Sequence, residues 1–152
     1  MKNWVKYFLY SVLAWFIVDF TTTNAIANAS EYYSAYMPTL LIFYMGLPLI
    51  FSLLIYKFNF KSKGIFIATI ISIILVEIIF TGNQILLAFP IMFLTIPLAL
   101  AYYSMLTFVP WWIVEGKIKE NKKWFLITLS IYIFGTLLNI LIHLSGNAQP
   151  IT

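Results

Sequence analysis

The chain has 152 residues, of which 62% are hydrophobic and only 9% charged; soluble domains carry about 25% charged residues, so a water-soluble globule is excluded for want of polar surface. That length allows one domain of ordinary size, and the absence of cysteine excludes disulfides, thiolate metal sites and Cys nucleophiles. The net charge of +4 draws its positive side from lysine alone, with no arginine, and the lysines are not interleaved with stacking aromatics on a soluble face, which excludes the pattern of a nucleic-acid binder.

Lys2 and Lys6 open the chain, and the apolar run that follows gives a first span over about residues 4–20. Eighteen residues of helix rise about 27 Å, close to the thickness of the hydrocarbon core. Residues 1–29 also fit a secretory signal peptide: a lysine-bearing start, an apolar core, Asp19 and a threonine run, then Ala27-Asn28-Ala29 before Ser30. The two readings of this stretch stay open. Residues 21–38 carry no positive charge, and Pro38 suits the start of a second span over 39–56, where a missing N–H costs nothing. Lys57, Lys61 and Lys63 follow.

The third span, residues 64–80, is apolar on every face and carries one acid, Glu77, about a turn from its end. An acid inside a membrane span is costly and marks a functional candidate, so the other helices are expected to gather around this one. After the turn Thr81-Gly82-Asn83-Gln84 comes a fourth span, over 85–109, with Pro90, Pro97 and Pro110 in the apolar stretch that runs to Val114. A tilted, kinked helix is the simpler reading; a broken helix lining a cavity, as in transporters, is the other. Pro110-Trp111-Trp112 then lead into a segment with four more lysines, and the fifth span covers 124–144.

Five spans place all nine lysines on one side of the membrane, which the positive-inside rule makes cytoplasmic. The expected fold is therefore an all-α membrane protein: a five-transmembrane-helix bundle forming a single domain over 1–152, N-terminus cytoplasmic and C-terminus extracytoplasmic, in the plasma membrane. Trp4, Tyr56, Trp111, Trp112 and Trp124 are expected at the inner interface, and Tyr32, Tyr33 and Tyr36 at the outer one.

The polar residues collect toward the opposite side. Glu77, His143, Asn139, Asp19, Asn83 and Gln84 are the ligand-binding or proton-linked candidates. Thr128, Tyr132, Gly135, Thr136, Asn139 and His143 recur at steps of three and four, a polar seam that should turn into the bundle because lipid offers no hydrogen bonds. The seam is expected to face the third span, with Asn139 and His143 near Glu77. Gly64, Ala68 and Ser72 form a small-residue ridge suited to close helix packing, within the bundle or between two copies.

No catalytic residue, cofactor or metal site is read from the sequence: it has one histidine, no GxSxG, no P-loop and no arginine clamp. The expected function is that of a non-enzymatic accessory protein whose partners are the lipid bilayer and another integral membrane protein or a second copy of itself. The alternative is a small transporter with a polar pocket around Glu77 and His143, and a third reading is an intramembrane lipid-modifying enzyme.

Overall fold

The computed structural model describes residues 1–23, 29–80, 82 and 87–145, with backbone alone for 22–23, 29–36 and 142–143. The helices are α1 (Asn3–Thr23), α2 (Ala29–Tyr56), α3 (Ser62–Ile73), which runs on as a π-helical segment (Ile74–Phe80), α4 (Met92–Val114) and α5 (Lys122–Leu144). Among the described residues five stretches are long and apolar enough to cross a membrane. Helix is the form such a chain must take, because its backbone groups find no water partners in hydrocarbon.

The helices alternate in direction and bring their lysine-bearing ends together. Tyr7 of α1, Phe51 and Ile55 of α2, Ile65 of α3, and Phe108, Val109, Trp111 and Trp112 of α4 share one core cluster there, with Phe125 of α5 packed against it. A second cluster joins Val18, Ile73, Val76, Tyr103, Leu106 and Tyr132 farther along the bundle.

The hub is α4, not the third span. It packs on α1, α3 and α5 and touches α2, whereas α3 packs chiefly on α4. Buried residues make up 39% of the α4 span and 28% of the third. The reason lies in the side chains: small Ala99 and Ala101 let neighbours approach, and Tyr103 and Thr107 offer polar groups that those neighbours engage.

The boundaries of the second and fourth helices differ most from the sequence reading. The second helix begins at Ala29, so Pro38 lies inside it rather than at its start. The fourth begins at Met92, after Pro90, and runs through Pro110 to Val114. Its end is set by Gly116, whose φ of +66° suits a residue without a Cβ. The N–H groups of Gly116 and Lys117 return to the carbonyls of Ile113 (3.3 Å) and Trp112 (2.8 Å), a Schellman closure. Because the helix continues past Pro110, Trp111 and Trp112 are packed in the core at the lysine end.

Candidate functional site

The one acid of the third span sits where that helix changes its winding. From Ile74 the backbone passes from α to π, and short π segments inside α-helices are frequent at functional sites. Glu77 is half-buried in this segment. Its Oε1 accepts a hydrogen bond of 2.9 Å from the hydroxyl of Tyr103 on α4. The Tyr103 ring lies edge-on to Trp15 of α1 at 5.8 Å, and Trp15 stacks on Tyr44 of α2 at 5.6 Å. A chain of side-chain contacts through four helices thus starts at this carboxylate.

Polar contacts continue along α4. Thr107, one turn beyond Tyr103, donates to the Tyr103 carbonyl at 2.9 Å, and its Oγ1 is 3.2 Å from that of Thr69 on α3. Thr69 donates to Ile65 at 2.9 Å. Each hydroxyl carries one proton, so the threonine pair shares two protons among three contacts.

Proline decides how α1 docks. Pro110 has no N–H, so the Leu106 carbonyl one turn back loses its intrahelical donor. Ser11 of α1 supplies one at 2.7 Å, and Tyr7, one turn away on the same face, donates to the Thr107 carbonyl at 3.2 Å. At the lysine end Glu115 Oε1 accepts from Tyr56 at 3.0 Å and from Asn3 at 3.4 Å, tying α1 and α2 to the end of α4.

Asp19 is half-buried on α1 beside core residue Val18. Two residues on, the Thr21 hydroxyl meets the hydroxyl of Tyr132 on α5. The α5 seam does turn inward: Tyr132 and Gly135 are buried, and Thr128, Thr136 and Asn139 half-buried. It faces α4, however, with a lesser contact to α1; among the described residues α5 makes no close approach to α3. The expected placement of Asn139 against the third span is thereby corrected. Gly135 draws the two helices together, since a Cβ there would lie 2.6 Å from both Leu98 and the Tyr102 hydroxyl. The side chain of His143, and Asn83 and Gln84 altogether, lie outside the described residues.

Of the small-residue ridge, Ser72 is buried and bonded to the Ala68 carbonyl, while Gly64 abuts Phe60 of its own chain. The stripe that α3 buries is Ile65, Thr69, Ser72 and Val76, and the ridge borders it. On the far flank of α1 a groove of about 500 Å³ is lined by Phe16, Ile17, Phe20, Thr21 and Met37. It is almost wholly apolar.

Sequence reasoning missed Tyr103, Thr107, Thr69, Ser11, Tyr7 and Glu115. One signal was available: Pro110 implies a freed carbonyl at Leu106, and Tyr7 and Ser11 form the only Tyr–Ser pair at helical spacing on the first span. No family model, curated protein or solved structure matches the chain.

Proposed function

We propose that the chain is a non-enzymatic accessory protein of the plasma membrane, with its lysine end and N-terminus in the cytoplasm, that binds another integral membrane protein or lipid through its outer helix faces. One observation carries the reading: the described polar groups of the interior hold helix to helix. Tyr7, Ser11, Thr69, Tyr103 and Thr107 each contact a neighbouring helix. Hydrogen bonds used in this way act as glue within a membrane bundle. The outward faces are free for association. Only 11% of the α5 span is buried, and Ile133, Phe134 and Leu137 point away from the bundle. The apolar groove beside Phe16 and Phe20 suits an acyl chain.

A second reading, a small transporter, draws on Glu77 alone: a half-buried carboxylate in a π segment, with Pro97 inside the helix opposite. The two separate by experiment. Photoreactive side chains at Phe134 and Leu137, crosslinked in the native membrane, are expected to give protein adducts of discrete mass that the same probe at Ile42 of α2 does not. Flux of a solute or of protons through proteoliposomes of the purified chain, abolished by Glu77→Gln, would overturn the accessory reading in favour of the transporter.

A further inference from the structure

Among the described residues the nine lysines meet two carboxylates at their end of the bundle, Glu115 and Glu120. Six of them, Lys2, Lys6, Lys61, Lys63, Lys122 and Lys123, stand before or within the first turns of helices. The helix dipole disfavours a cation there, so local helix stability does not account for them. The fold then joins the separate lysine segments. Tyr56 and Asn3 both donate to Glu115. This ties the segment that carries Lys57, next after Tyr56, to the one that carries Lys117, two residues after Glu115, with Lys2 beside Asn3. Glu115 is occupied by neutral donors, so its hydrogen bonds leave the ammonium groups available.

The junction is ordered as well as charged. The Lys117 N–H closes α4 on Trp112, and its ammonium stands 5.1 Å over the Trp111 ring. Lys57 stands 5.8 Å over the Phe58 ring. Its loop is pinned by Phe58 and Phe60 N–H groups that return to the carbonyls of Leu53 and Leu54 at 3.0 and 2.9 Å. A cation held over an aromatic face has one side turned away from water and the other open to an anion. The whole array lies at the end of membrane-spanning helices, at the depth of lipid headgroups.

We infer that the lysine end is a binding face for anionic lipid, which seats a headgroup phosphate at the junction of Lys57 and Lys117. The inference does not depend on the accessory reading and holds equally for a transporter. The flanking ammonium groups extend the attraction and tune it by ionic strength.

The test uses the full chain in nonionic detergent, titrated with phosphatidylglycerol or with zwitterionic phosphatidylcholine, bound lipid being read by native mass spectrometry. The native chain is expected to prefer phosphatidylglycerol, with a preference that falls as sodium chloride is raised. Each lysine near a membrane surface contributes about fivefold to such binding, so Lys57→Gln with Lys117→Gln should weaken it about 25-fold. Lys57→Arg with Lys117→Arg should keep it. Equal binding of the two lipids, a preference indifferent to salt, or an unchanged preference in the glutamine variant would overturn the inference. Inorganic phosphate displacing the lipid at millimolar concentration would do so too, since the site would then be one for free phosphate. The salt series on the native chain stands even if the glutamine variant does not fold.

Discussion

Two residues show how this bundle turns a defect into a contact. Pro110 deprives Leu106 of its donor, and Ser11, 1% exposed, restores it from the next helix. Interhelical hydrogen bonds in membranes are worth about 0.6 kcal/mol on average and up to about 1.7. Because the Leu106 carbonyl lacks its helical N–H, Ser11→Ala should cost near the upper figure. Pro110→Ala returns an N–H to that position, so Ser11→Ala should cost much less in that background. Unfolding of the four variants in detergent completes the cycle. Additive losses would show that the serine does not serve the proline-freed carbonyl. At this scale the sequence was half legible. Glu77 stood out because an acid in an apolar run is expensive anywhere. Its donor Tyr103 did not, because a tyrosine in a long apolar helix looks the same whether its hydroxyl meets water or a carboxylate.

The helices themselves were legible from hydropathy, since a helix satisfies its own backbone in hydrocarbon and apolar runs near 20 residues have the length of a helical span. Their neighbours were not. The third and fourth spans are both apolar on all sides, so neither carries a stripe that points to the hub. The α5 seam showed which of its faces turns inward, yet a seam of threonine, tyrosine and asparagine fits α4 as well as α3. Winding was hidden too: nothing in Ile74–Phe80 distinguishes a π segment from an α one. The contact that fixes α5 is Gly135 against Leu98 and Tyr102. Overpacking a filled interface costs about 1 to 3 kcal/mol. Gly135→Ala should therefore lower stability within that range and Gly135→Leu by more. Tyr102→Phe, which removes one of the two clashing atoms, should recover part of the alanine loss. A Gly135→Ala chain as stable as the parent would mean that α5 stands farther from α4.

On the scale of the molecule, charge arranges everything else. Loops 57–61 and 115–121 and the N-terminal residues gather the lysines at one end, while Glu77, Asp19 and Asn139 lie on the spans beyond it. This arrangement was the most legible part of the sequence, because two crossings between each lysine group and the next bring all nine lysines together. The bundle is knit most tightly at the lysine end, where the aromatic cluster closes around Trp111 and Trp112. It is looser toward the other, where Phe93, Leu94, Ile96 and Pro97 of α4 are exposed. Trp111 and Trp112 supply large contact areas at the lysine end.

The chain has no cysteine, so single cysteines report sidedness without background. Lys57→Cys, Lys119→Cys, Gly82→Cys and Ser145→Cys, each labelled in intact cells and in inverted vesicles with a membrane-impermeant maleimide, address the five-crossing bundle most directly. Positions 57 and 119 should react only in inverted vesicles, and positions 82 and 145 only in intact cells. Reaction of positions 82 and 119 on the same side, or of position 145 with the lysine loops, would contradict the arrangement on which the glutamate, the seam and the lipid-binding face all rest.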